Sequence, residues 1–255
     1  MKEQSISSVE HVCEIIDEIR NINDEWQLVK ILRECICALG AESFVYTWFL
    51  GDQAVPDHAG NENRRYLVGC DPAWTQLYIA RKWFMNDPFV AYSKANAAPI
   101  LGSQIQPITD GQRDLLRAAA EYGFRSAFVI PSHAGIINHM GMLYLGSSAD
   151  PEEGEQRMSE NRIYFRALAA ELLDWWIARV REKAQATYKL DKIELQVLKL
   201  GKDGYAAKEM AIELDISLPT MYAHYRRIKS KFSVTNIHEA VHIASRSGLL
   251  SHGVI

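Results

Sequence analysis

No run of apolar residues in this 255-residue chain approaches the roughly 18 that a membrane-spanning helix needs. The first ten residues, Met1 to Glu10, are polar and lack the basic-then-apolar order of a secretory signal. A cytoplasmic protein with a loose leading end is therefore expected. Cysteine is scarce: Cys13, Cys35, Cys37 and Cys70 form no C-x-x-C pair, and no second cluster completes a zinc pattern. Buried free thiols in a reducing compartment are the expectation. No serine or cysteine stands in a nucleophile motif, and no P-loop glycine pattern occurs. The early acidic pair, mid-domain aspartate and later lysine of a phosphorylated receiver domain are not found in that order. One string needs an answer: His238-Glu239-Ala240-Val241-His242 matches the H-E-x-x-H zinc motif. No third ligand is evident nearby in sequence, so neither a metal nor an enzyme is expected.

What is present is an ordinary globular composition, 48 % hydrophobic and 24 % charged, enough for one large or two medium domains. The net charge of −4 is unevenly spread. From Tyr188 onward there are ten Lys plus Arg against seven Asp plus Glu, a balance of +3, which leaves −7 on the rest. An acidic body with a basic tail suits a nucleic-acid-binding module attached to something else.

Apolar spacing predicts an amphipathic helix through Val12, Ile15, Ile16 and Ile19. A second helix is capped near Asn23-Asp24, carries Trp26, Val29, Leu32 and Ile36, and ends at Gly40. Glu42 to Leu50 reads as a strand, Gly51 to Arg65 as a loop, and Tyr66 to Val68 as a short strand. Pro72 to Trp83 is predicted helical, with Trp74 and Tyr78 on one face. Asp87-Pro88 starts another helix, and Thr109 or Asp110 caps one that Gly123 ends. Ser126 to Ser132 and Gly141 to Ser147 read as strands joined through Gly135 and Asn138. A single long helix is expected from Glu155 to about Ala184. Trp175 and Trp176 are adjacent in it and hard to bury on one face, so it is a candidate dimer element. The expected fold is α+β: an α/β/α sensor sandwich with an antiparallel sheet over residues 1–180, a polar linker at 181–189, and a four-helix helix-turn-helix domain over 190–255.

In that last domain Ala207 to Leu214 and a helix capped by Ser217, with Pro219 in its first turn, are joined by Asp215-Ile216. Met221, His224 or Tyr225, Ile228 and Phe232 face inward. Tyr222, Arg226, Arg227, Lys229 and Lys231 face outward. A basic helix so presented fits a DNA major groove; a small bundle with a solvated basic face fits the same periodicity. The residues themselves decide. Leu190 to Leu250 resembles the LuxR-type helix-turn-helix, through L-D-K-I-E-L-Q-V-L-K-L, Gly204, and K-E-M-A-I-E-L-D-I-S-L-P-T-M-Y-A-H-Y-R-R-I-K-S-K-F-S-V, with Ile193 where arginine is common. The resemblance implies base reading by Tyr222 and Arg226. It implies phosphate contacts by Thr220, Arg227, Lys229 and Lys231.

Upstream, Trp74, Tyr78 and Asp87-Pro88, followed by Pro99, Gly123-Phe124-Arg125-Ser126, Ile130-Pro131 and Gly141-x-Leu143, resemble the autoinducer-binding domain of quorum-sensing LuxR-type receptors. On spacing alone, Trp74 and Tyr78 also fit a core face, and Asp87-Pro88 an N-cap. The resemblance implies an N-acyl homoserine lactone pocket. There the Trp74 indole N–H meets the lactone carbonyl, the Tyr78 hydroxyl the amide carbonyl, and the Asp87 carboxylate the amide N–H. Three positions depart from the family: Gly102 for a second tryptophan, Ala127 for glycine, and Tyr144 for a small hydroxyl residue. Loss of the indole should open roughly 100 Å3, which a tyrosine could partly refill. The expectation is a ligand-responsive transcription regulator that needs no cofactor beyond its small-molecule signal. It binds an inverted-repeat site as a homodimer and shows altered ligand preference. The alternative is a LuxR-type regulator that is ligand-independent or controlled by a partner.

Overall fold

The computed structural model describes residues 3–50, 64–134 and 139–250. The chain divides into two compact units, Met1–Trp175 and Trp176–Ile255.

The first unit is built on a five-stranded antiparallel sheet in the order β2-β1-β5-β4-β3. Its strands are β1 (Ser43–Leu50), β2 (Arg64–Val68), β3 (Ile100–Leu101), β4 (Ser126–Ala134) and β5 (His139–Ser147). The register pairs Val45 with Tyr144 and Thr47 with Met142 across β1 and β5, and Val129 with Tyr144 across β4 and β5. Because side chains alternate along a strand, Val45, Thr47 and Phe49 share a face with Met140, Met142, Tyr144, Ala127 and Val129. That face meets α3 (Pro72–Ala80), α4 (Pro88–Ala95) and α5 (Asp110–Glu121), which bring Trp74, Phe89 and Ala119 into one buried cluster with the strands. On the opposite face are Phe44, Tyr46, Phe128, Leu143 and Leu145, all buried. The remaining helices of this unit are α1 (Glu3–Glu18), α2 (Glu25–Ala38), α6 (Pro151–Glu160) and the start of α7 (Arg162–Tyr188). Phe165 of α7 meets Phe128 edge-on at 6.3 Å. The α/β/α sandwich with an antiparallel sheet is as the sequence predicts.

Several details differ. The leading end is helical from Glu3 rather than loose. Trp26 is 85 % exposed, and Leu28 takes the inward position on α2. Arg64 and Arg65 belong to β2 rather than to a loop; the rest of that predicted loop, and the turn through Gly135 and Asn138, lie outside the described residues. The helix begun at Pro72 stops at Ala80, and left-handed Lys82 leads into a 3-10 turn at Trp83–Met85. The predicted single helix from Glu155 is two. Asn161 breaks it, its side-chain amide donating to the carbonyls of Leu39 at 3.0 Å and Arg157 at 3.4 Å. The second of them runs unbroken through the predicted linker to Tyr188, ending where Lys189 turns left-handed. Trp175 and Trp176 are both buried, at 3 % and 7 % exposure. Neighbouring helical residues point about 100° apart, and both directions are covered, Trp175 donating its indole N–H to the Ile22 carbonyl at 2.7 Å. They therefore give no argument for a dimer.

The second unit holds the last turns of α7 and α8 (Lys192–Lys202), α9 (Ala207–Glu213), α10 (Leu218–Phe232) and α11 (Ile237–Arg246). Val197, Leu198, Met210, Met221, Ile228, Phe232, Ala240 and Ala244 form its core.

Candidate functional site: an aromatic cavity and a basic helix

Trp74 lies at the centre of an aromatic cluster. Tyr78, Trp83, Tyr122 and Phe124 surround it with ring centroids 5.8–5.9 Å away. Beside it is a cavity of about 30 Å3, lined in part by Trp74, Tyr78, Asp87 and Tyr144. The helix-start chemistry places the polar groups. Asp71 caps α3 with Pro72 behind it, so Trp74 and Tyr78 project from one short helix. Asp87 caps α4, its Oδ1 accepting the N–H groups of Phe89 at 2.7 Å and Val90 at 3.3 Å, and buried Pro88 holds the first helical position. The other carboxylate oxygen, Oδ2, accepts the Tyr78 hydroxyl at 2.7 Å.

One carboxylate thus serves both as cap and as polar wall. Asp87 is 7 % exposed. Burial pushes its carboxyl above the ordinary carboxylate range, against the hydrogen bonds from Tyr78, Phe89 and Val90 and the Arg64 guanidinium. The Tyr78 hydroxyl is held well above its ordinary range, first by burial and then by the Asp87 charge. A neutral hydroxyl donating to a buried carboxylate leaves acceptor lone pairs on both groups at the edge of an apolar space, which suits an N–H donor such as an amide.

The other predicted residues fall as follows. Tyr144 is buried in the cavity wall, and Ala127 is buried on the same sheet face. Gly102 opens the 3-10 turn Gly102–Gln104 and does not line the cavity. The opening expected there is not found. A β-carbon on Gly102 would meet the Ala127 β-carbon at 2.9 Å and Glu155 Oε1 at 3.0 Å. The Glu155 carboxylate fills the place, accepting the Ser103 N–H at 2.8 Å and hydroxyl at 2.5 Å. Sequence reasoning missed six lining residues: Val45, Thr47, Tyr66, Thr75, Leu115 and Met142. The period-2 alternation of β1 contained the signal for Thr47. Thr75 Oγ1 is buried beside the Cys70 thiol. Arg64 was missed as well; it is buried and packs over the rings of Phe84 at 4.7 Å and Phe49 at 5.5 Å. The buried thiols of Cys35 and Cys70 are pushed by burial to about 12 and about 11, far from reactive thiolates.

In the second unit Ser217 caps α10, accepting the Thr220 N–H at 3.3 Å, with Pro219 in the first turn. Met221, His224, Ile228 and Phe232 are buried, so Tyr222, Arg226 and Arg227 point outward. Thr220 is exposed and shares a hydrogen bond with the Ser217 hydroxyl at 2.8 Å. Tyr222 stands edge-on to Tyr225 at 6.0 Å. Arg227 lies 3.4 Å from His224 Nδ1, and Lys229 is partly exposed. Lys231 is engaged within the fold: its ammonium donates to Glu194 Oε2 at 2.6 Å and to the Lys189 carbonyl at 2.8 Å. His238 and His242 are exposed on α11, and among the described residues no three His, Cys, Asp or Glu gather as a metal site.

An autoinducer binding domain family matches residues 24–174, and the luxR family of bacterial regulatory proteins matches residues 189–244. The chain belongs to the LuxR family of quorum-sensing transcription regulators, which are not enzymes. Among its relatives is the transcriptional activator protein AnoR of Acinetobacter nosocomialis, 25 % identical over 90 % of this chain and 94 % of that one. The activator VanR of Vibrio anguillarum is 25 % identical over 70 % and 74 %. The fold is that of SdiA in complex with octanoyl-rac-glycerol, with a TM-score of 0.64 at 14 % identity over 95 % of this chain and 96 % of that one. Among the described residues no helix is long and apolar enough to cross a membrane.

Proposed function

We propose that this regulator binds an N-acyl homoserine lactone or a close relative in the Trp74 cavity, and an inverted-repeat DNA site as a homodimer, in the cytoplasm. Residues 1–180 act as the sensor and residues 190–255 as the DNA-binding domain, joined by the segment 181–189, which is helical as far as Tyr188. The observation that carries the ligand reading is the Tyr78–Asp87 hydrogen bond beside Trp74 at the wall of an apolar cavity. The Trp74 indole N–H serves the lactone carbonyl; the Tyr78 hydroxyl proton turns from Asp87 Oδ2 to the amide carbonyl, and the freed Asp87 oxygen accepts the amide N–H. SdiA, which shares this fold, takes the acylated ligand octanoyl-rac-glycerol, which supports an acyl group here. On DNA, Arg226 and Tyr222 read bases while Thr220, Arg227 and Lys229 meet phosphates. Lys231, held by Glu194, braces α10 instead. Ligand alters DNA affinity through its differential affinity for two states of the chain.

The test is mass spectrometry of small molecules extracted from full-length protein purified after growth with native culture extract. A recovered acyl lactone supports the reading. A recovered non-lactone changes the ligand class, and an empty extract from DNA-binding protein favours a ligand-independent regulator.

A further inference from the structure

We infer that Tyr144 sets ligand size, restricting the site to compact acyl groups of a few carbons. This rests on the lactone reading above. Tyr144 lies on the cavity face of β5, paired with Val45 on one side and Val129 on the other, and is 7 % exposed. Its ring is stacked on Phe124 at 4.5 Å and 11°, and lies 5.2 Å from Phe89.

Neither neighbour is placed to give way. Phe124 follows Gly123, whose φ of +89° turns the chain after α5. The Phe124 ring lies directly on Gly146, where any β-carbon would collide with it. Phe89 is 1 % exposed at the start of α4, its N–H held by Asp87. Tyr144 is therefore gripped by two buried rings from different elements. The cavity beside it, about 30 Å3, is small against the several hundred Å3 of a typical small-molecule pocket.

A ligand must gain the rest of its space from side chains that can move. Tyr66 and Thr75 are only partly buried and lie on the β2 and α3 side. The site therefore widens on that side while the Tyr144 side stays fixed. A long alkyl chain would need the volume of the Tyr144 ring, and close-packed interiors do not surrender such contacts cheaply.

The test is calorimetric titration of full-length protein with N-butanoyl and N-dodecanoyl homoserine lactones. Wild type, Tyr144→Phe and Tyr144→Ser are compared. Wild type and Tyr144→Phe should bind the butanoyl compound at least about tenfold more tightly. Tyr144→Ser should reverse that order, gaining up to about fourfold for each further methylene it buries. If Tyr144→Ser does not fold, Tyr144→Leu removes the ring while keeping apolar bulk, and should narrow the gap. Equal affinity of wild type for both lactones overturns the size limit and leaves the lactone reading standing. Failure of every lactone to bind wild-type protein that still binds DNA overturns the lactone reading, and the size limit with it.

Discussion

Replacing Asp87 separates its two roles. Its Oδ1 caps α4 through Phe89 and Val90, and its Oδ2 accepts the Tyr78 hydroxyl, all with 7 % exposure. Asp87→Ala removes the cap, costing about 1 kcal/mol. It also leaves the Tyr78 hydroxyl without its acceptor, for about 1–3 kcal/mol more. Relief of the buried charge offsets part, so a net loss of roughly 2–3 kcal/mol is expected. Asp87→Asn keeps an oxygen for the cap and an amide for the Tyr78 oxygen, so it should cost no more than about 1 kcal/mol. Both variants lose the carboxylate proposed to accept a ligand amide, so both should lose the lactone response. The pH dependence adds a sign. Burial raises the Asp87 carboxyl in the folded chain. Its contribution to stability is therefore full below the ordinary carboxylate range and is lost as pH rises through the raised value. Asparagine has no such slope, so Asp87→Asn should gain on wild type from acid toward neutral pH. Urea unfolding of the three proteins across that range measures all of this. Equal losses for Ala and Asn, or a pH-independent difference between Asn and wild type, would refute the double role.

In the second unit, Arg226→Ala should cost about 1–3 kcal/mol on the operator and relax sequence preference, while Lys229→Ala weakens all sequences alike; fluorescence anisotropy on operator and random DNA distinguishes them. Lys231→Ala should act on stability. It leaves the Glu194 carboxylate, 1 % exposed, without its ammonium, for about 1–3 kcal/mol given the partial exposure of Lys231. The salt dependence of DNA binding should then stay the same, and a shallower slope would return Lys231 to a phosphate. Glu42 accepts the Ser148 hydroxyl at 2.6 Å and N–H at 2.9 Å and the Ser147 hydroxyl at 3.0 Å, which hold its carboxyl below the ordinary range. That contribution is present above the ordinary carboxylate range and is lost as pH falls through the lowered value. Glu42→Gln should therefore flatten the acid limb of the melting curve, and an unchanged limb would refute the assignment.

The strands and most helix starts were legible in the sequence because their signals are local. Asp24, Asp87, Thr109 and Ser217 are caps followed by apolar period, and the sheet alternates cleanly. What escaped depends on contacts distant in the chain. The Asn161 break is made by the Leu39 carbonyl, 122 residues away. The burial of Trp175 uses the Ile22 carbonyl, 153 residues away. Of the site, Trp74, Tyr78, Asp87 and Tyr144 are legible in the sequence and line one cavity. The space beside Gly102 is filled by Glu155 from a different helix, which no local spacing reveals. Lys231 reads as one more outward cation until buried Glu194 is seen beneath it.

The central claim is that ligand in the Trp74 cavity changes DNA binding. Its most direct test is the affinity of full-length protein for an inverted-repeat operator, measured by anisotropy with and without saturating N-butanoyl homoserine lactone, in wild type and Asp87→Asn. A ligand-dependent change of several-fold or more is expected in wild type and none in Asp87→Asn. Identical affinity with and without bound lactone in wild type would contradict it.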